Sequence, residues 1–90
     1  MLREFWAKHA DAEQPLKAWL AVAESATWRT PQEIKDLFRS TSFLSDNRVV
    51  FNIGGNRFRL VIHFHYEYGI ARIKFIGTHT EYDAINAETI

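Results

Sequence analysis

From Arg57 to Tyr68 the chain alternates with the period of a strand. Phe58, Leu60, Ile62, Phe64, Tyr66 and Tyr68 fall on one side, and Arg57, Arg59, Val61, His63, His65 and Glu67 on the other. One face is apolar and suits the cover of a core. The other is largely basic, and solvation alone does not require a row of Arg and His, so this row fits an anionic partner. Runs at 48–53 and 70–76 predict flanking strands, joined to 57–67 through Gly54-Gly55-Asn56 and Tyr68-Gly69. With Gly54-Gly55 as the first loop, Asn52 lies opposite Arg57 and Val50 opposite Arg59. With Tyr68-Gly69 as the second, His65 lies opposite Arg72 and His63 opposite Lys74. Both registers keep the basic side chains on one face. Phe58, Leu60, Ile62, Phe64, Ile73 and Phe75 then face the rest of the molecule.

The first half carries helical spacing. Leu2, Phe5, Trp6 and His9 recur at i, i+3, i+4 and i+7, and Leu16, Trp19, Leu20, Ala23 and Ala26 continue the pattern to about Trp28. Asp11 is positioned to cap the second helix, with Pro15 tolerated in its first turn. Thr30-Pro31-Gln32-Glu33 reads as a capping box with Pro at the first helical position, and Ile34, Leu37 and Phe38 supply that helix's inner face. Residues 40–46 read as a connection. Thr78-x-x-Glu81 is a second capping box, opening a short helix to about Asn86.

These elements describe one α+β domain over residues 1–90: a helical half at 1–46, then a three-stranded antiparallel sheet and a C-terminal helix at 47–90. At 47% hydrophobic and 24% charged residues the chain is not of the disordered class. No cysteine is present, which removes disulfides and thiolate metal sites and fits a reducing cytoplasm. No apolar run, Trp19–Ala23 included, is long enough to span a membrane, and no signal-peptide pattern opens the chain. The net charge is zero, but residues 47–76 hold Arg48, Arg57, Arg59, Arg72 and Lys74 against Glu67 alone. A neutral total thus conceals a local basic patch.

Arginine forks bind phosphate bidentately, and strand positions hold them rigidly. The pair His63-x-His65 has a spacing compatible with metal, but lacks an evident third ligand, so packing or RNA contact is the expected role. His79 and Tyr82 share one face at the start of the last helix, where an imidazole could move protons and a phenol could stack on a base. Asp83 is read as support for that helix. No Walker loop, dinucleotide fingerprint or Ser-His-Asp order occurs.

Two segments carry a resemblance to a known family. Val49-Val50-Phe51-Asn52-Ile53-Gly54-Gly55-Asn56-Arg57-Phe58-Arg59-Leu60-Val61 resembles the central hairpin of HigB-type toxins of the RelE/ParE superfamily. Phe75-Ile76-Gly77-Thr78-His79-Thr80-Glu81-Tyr82-Asp83 resembles that family's C-terminal signature. Arg3-Glu4-Phe5-Trp6 and Ala12-Glu13-Gln14-Pro15-Leu16 extend the likeness through the helical half. Family members usually open on a short N-terminal strand, whereas this chain opens on helix.

The resemblance implies a RelE-like fold and the toxin of a type II toxin–antitoxin system, a ribosome-associated mRNA interferase. Such an endoribonuclease works without a metal or other cofactor: the 2′-hydroxyl attacks the adjacent phosphate of the message. It further implies a HigA-like helix-turn-helix antitoxin as partner, contact with operator DNA only through that antitoxin, and no membrane association. Carried over by position, Arg57 and Arg59 would hold phosphate, and Arg72 or Lys74 would act as base or stabiliser. His79 and Tyr82 would position the nucleotide or assist proton transfer. Arg48, Asn56, His63 and His65 complete the expected RNA-binding set. Two alternatives stay open: a superfamily toxin that inhibits DNA gyrase by binding, and an inactive copy that retains only antitoxin contact.

Overall fold

Phe58, Leu60, Ile62 and Phe64 lie on one face of β3 (Phe58–His65), and each is at most 4% exposed. Around them the computed structural model, which describes residues 2–26 and 28–90, arranges helices α1 (Leu2–Lys8), α2 (Glu13–Ser25) and α3 (Pro31–Leu37). They cover the inner face of a four-stranded antiparallel sheet in the order β1 (Ser42–Phe43), β2 (Arg48–Ile53), β3, β4 (Ile70–Thr78). A short helix, α4 (His79–Asp83), follows β4 directly. Leu2, Leu16, Trp19 and Ile34 from the helices meet Val49, Phe51 and Ile53 from β2 and the four β3 side chains in one apolar cluster. Phe51 is its hub, with the rings of Trp19 and Phe38 at 5.3 and 5.2 Å. Trp19 Nε1, Trp28 Nε1 and Tyr66 Oη are buried there without hydrogen-bond partners among the described residues, so these residues contribute area rather than polar contacts. Burial pushes the Tyr66 phenol pKa up.

The helix signals behave as local chemistry predicts. Thr30 caps α3 and Thr78 caps α4, each with the reciprocal Glu bond of a capping box. Three boundaries differ. Asp11 lies in a 3₁₀ turn (Ala10–Ala12) rather than at the cap of α2, whose N-cap is Ala12 with no side-chain bond. The α2 helix stops at Ser25, so Trp28 stands outside it; residue 27, which the expected helix would cross, lies outside the described residues. The last helix ends at Asp83, before Asn86.

The sheet departs from expectation in strand number and register. It has four strands rather than three, because Ser42 and Phe43 pair with Val50 and Val49 in the stretch read as a connection. Two residues are too few to show an alternation. The β2–β3 loop takes Gly54 through Arg57, with Gly54 and Gly55 at φ 63 and 70° and the Arg57 N–H donating to the Gly54 carbonyl at 3.4 Å. Arg57 therefore belongs to the turn, and Asn52 pairs with Arg59, Val50 with Val61 and Arg48 with His63. A 3₁₀ turn (Tyr66–Tyr68) closed by Gly69 at φ 65° lengthens the second loop, so His63 lies opposite Arg72 instead of Lys74, and His65 opposite Ile70. Both shifts are by an even number of residues, so these side chains keep the expected face.

A bulge in β4 changes the faces beyond it. Ile62 pairs with Ile73 and Val61 with Phe75, leaving Lys74 as the extra residue. Phe75, expected against the helices, instead occupies the outer face, and Ile76 takes the inner one. On the outer face Phe75, Val50 and Val61 form a second apolar cluster with Leu44, Tyr82, Ile85, Ala87 and Ile90. The chain after α4 thus folds back over the middle of the sheet. Arg48 fixes this return, donating from Nε and Nη2 to the Ile90 main-chain oxygen at 3.1 and 2.7 Å, while Ser45 Oγ donates to Glu88 at 3.3 Å.

Gly77 sits where the bulge, Phe75 and α4 converge. A Cβ there would fall 2.5 Å from Phe75 Cζ and 2.9 Å from Glu81 Oε1. Gly77→Ala is expected to destabilise the protein by about 1–3 kcal/mol through this overpacking, read as a lower urea midpoint at unchanged slope.

Candidate nucleic-acid interface

The residues expected to bind RNA or carry chemistry are distributed along the outer face and around one end of the sheet. At the far end stand Arg48, His63, His65 and Arg72. Arg48 is committed to the fold: besides Ile90 it donates to Asp46 Oδ2 at 3.1 Å, and its side chain is only 11% exposed. It is not available to hold a phosphate as the sequence predicted. His63 stands 3.6 Å from the same Asp46 oxygen, with the His65 ring 4.6 Å away. Among the described residues no group of three or more His, Asp or Glu side chains is arranged to hold a metal ion. Arg72 and Lys74 are exposed and have no ion-pair or hydrogen-bond partner among the described residues. Strand alternation from the inward-facing Ile73 sends Arg72 to the outer face, while Lys74 is the extra, exposed residue of the bulge.

Tyr82 lies over the middle of the sheet, its ring 6.4 Å from that of Phe75. It is half-buried in the outer cluster rather than free to stack on a base. Arg59, four residues from His63 and so roughly 13 Å along the strand, donates from Nη1 to the Asn56 and Phe58 carbonyls at 3.0 and 3.2 Å. These bonds fold its side chain toward the turn. Asn56 therefore contributes its carbonyl to placing Arg59, and its exposed side chain stands at the tip of the loop.

At the turn end a shallow groove is lined by His9, Asp11, Arg57, Phe58, Thr78, His79 and Thr80. Each is placed by a separate local device. His9 interrupts the helix after α1: its N–H closes the last turn on the Phe5 carbonyl at 2.9 Å, and its own carbonyl opens the 3₁₀ turn through Ala12. Its ring stacks on Phe5 at 4.4 Å and meets the edge of Phe58 at 5.9 Å. Asp11 on that turn reaches Arg57 at 3.0 Å. His79 is the first residue of α4, tied to the turn by its N–H donating to the Arg57 carbonyl at 3.1 Å. The Glu81 carboxyl is held below its usual range, chiefly by the Thr78 N–H at 2.8 Å, with the charge of His9 acting in the same direction. The groove brings together His79 and Arg57, both predicted, with His9 and Asp11, read from sequence only as helix-face and cap residues.

His63 supplies a pH test of the far-end network. Burial lowers its pKa below the ordinary 6.5, followed by repulsion from Arg48, against the opposing pull of Asp46. The folded state then binds fewer protons here than the unfolded chain, so this contribution is complete above about pH 6.5 and is lost as pH falls through the lowered value. His63→Gln is expected to flatten the dependence of unfolding free energy on pH below about 6.5, measured by urea titration at several pH values. An unaltered profile would place the acid sensitivity elsewhere.

Among the described residues no helix is long and apolar enough to cross a membrane. No curated protein matches the sequence. The chain does match the model of the HigB toxin family, described as the RelE-like toxic component of a toxin–antitoxin system, over residues 12–85. That span contains α2, α3, all four strands and α4, and with them both the outer-face cations and the greater part of the groove. A match that covers most of the chain, and with it the whole antiparallel sheet, places the chain in the HigB toxin family, the RelE-like toxic components of toxin–antitoxin systems.

Proposed function

We propose that residues 1–90 act in the cytoplasm as one toxin domain, a metal-independent endoribonuclease that cuts messenger RNA on the ribosome. The observation that carries this reading is the pair Arg72 and Lys74, exposed two residues apart along β4 and unpaired among the described residues. Surface cations are normally balanced by nearby carboxylates, and two left unbalanced on a rigid strand suit a backbone of phosphates. His65 stands at the same end, and Arg59 continues the track toward the turn.

The chemistry is transfer of the message's own phosphate to the adjacent 2′-hydroxyl, leaving a cyclic phosphate and a 5′-hydroxyl end. Such a transfer needs a proton acceptor, a proton donor and cations around the pentacoordinate phosphate. The antitoxin is proposed to be a helix-turn-helix protein that blocks the toxin and links it to operator DNA.

Expression of the chain in bacteria should therefore arrest growth and create new mRNA ends within translated frames, bearing 5′-hydroxyls. Arg72→Ala combined with Lys74→Ala is expected to weaken RNA binding and so reduce cleavage of subsaturating message by about 10-fold or more. Because both side chains are exposed, stability should move by no more than about 0.5 kcal/mol. Arrest without new mRNA ends would overturn the nuclease reading.

A further inference from the structure

We infer that the groove at the β2–β3 turn is the catalytic centre, taking the scissile phosphodiester of single-stranded RNA between the imidazoles of His9 and His79, with Arg57 holding the phosphate. The inference rests on the endoribonuclease reading and names a residue, His9, that lies outside the matched span of 12–85. Three separate segments deliver these groups to one groove: the end of α1, the β2–β3 turn and the start of α4. The groove is shallow and open, which suits a strand of nucleic acid passing through.

Proton transfer near neutral pH selects among the basic residues. Lysine and arginine in water keep their protons there, whereas imidazole exchanges one. Of the four histidines in the chain, His63 and His65 stand together at the far end, beside Asp46, Arg48 and Arg72. The other two line the groove with Arg57. The partner of Arg57 is replaceable: the Arg57–Asp11 pair has side chains 67% and 46% exposed. Such a pair contributes at most about 1 kcal/mol, so a phosphate can take the place of the carboxylate on the guanidinium.

The two imidazoles divide the proton transfers. The His79 main-chain N–H donates to the Arg57 main-chain carbonyl, which holds the start of α4 against the turn. His79 then accepts the proton of the 2′-hydroxyl as that oxygen bonds to phosphorus. The bond from phosphorus to the 5′ oxygen breaks, and His9 donates a proton to the leaving oxygen. The products are a 2′,3′-cyclic phosphate and a 5′-hydroxyl. Exchange with water then returns His9 to the imidazolium and His79 to the neutral form. Arg57 neutralises the charge gained by the phosphate at the transition state.

The test uses ribosomes programmed with a short message, in two versions. One is ordinary RNA; the other carries sulfur in place of the bridging 5′ oxygen at the bond the wild-type protein cuts. Thiolate leaves without needing a proton. His9→Phe, which keeps a ring between Phe5 and Phe58, His9→Ala and His79→Ala should each lower kcat on ordinary RNA by about 10²-fold or more, with little change in KM. The sulfur substrate should restore cleavage by both His9 variants and not by His79→Ala. Wild-type rates from the His9 variants on ordinary RNA would overturn the proposal while leaving the endoribonuclease reading intact, and rescue of His79→Ala instead would overturn the assignment of roles. Failure of the wild-type protein to cut any message would overturn the endoribonuclease reading and this inference with it.

Discussion

One extra residue in β4 decides the face of every side chain that follows it. Up to Ile73 the strand alternates in step with β3; past Lys74 the alternation is inverted, so Phe75 points outward and Ile76 inward. An outward Phe75 gives Val50 and Val61 an apolar neighbour, and the three together give residues 82–90 something to pack against. Burial of a side chain such as Val or Phe contributes about 1.5–3 kcal/mol, which is enough to hold a short return of chain across the sheet. Strand β3 is consequently covered on both faces at its middle, where Val61 is fully buried. The same inversion sets Thr78 and His79 relative to Arg57, since Phe58 pairs with Thr78 and the His79 N–H reaches the Arg57 carbonyl. The bulge thus links the cover on the outer face to the geometry of the groove.

That cover divides the cations into two kinds. Arg48 holds Ile90 and Asp46, and Arg59 holds the carbonyls of its own turn; their charges are partly spent on the fold. Arg72 and Lys74 lie along β4, an edge strand, and are left unpaired among the described residues. A continuous basic face, as strand alternation alone implies, is therefore replaced by an apolar centre with cations along one edge and at the turn. A strand of RNA following those cations would run beside the returning chain rather than over it.

What the sequence makes legible follows the range of the interactions involved. Both capping boxes are contained within four residues, and both form as read at Thr30 and Thr78. The principal strands are likewise visible from alternation. Register is not, because it depends on loop length: Gly54-Gly55-Asn56-Arg57 can close as a two-residue or a four-residue turn, and only packing of Phe58 against Ile53 on the inner face selects between them. The outer cluster did leave a trace. Val61 is the one apolar residue in the otherwise polar row of β3, and its pairing with Val50 marks where that face is buried. Of the groove, Arg57 and His79 are conspicuous in the sequence, whereas His9 fits the apolar spacing of α1 and is hidden by it. Its proximity to His79 arises only when α1 packs on Phe58, a contact that no local pattern contains.

The packing of His9 also shows how a small domain can hold a ring steady without a deep pocket. Its ring lies against Phe5 and Phe58, which restrict its rotation, while its main chain ends one helix and begins the next turn. Across the groove, the main chain of His79 is held by the α4 capping box and by its bond to the turn. Only Arg57 is held loosely, through an exposed pair with Asp11. For the proposed reaction this arrangement is workable: a ring held between two others keeps its distance for proton transfer, whereas an exposed guanidinium can swing to meet a phosphate.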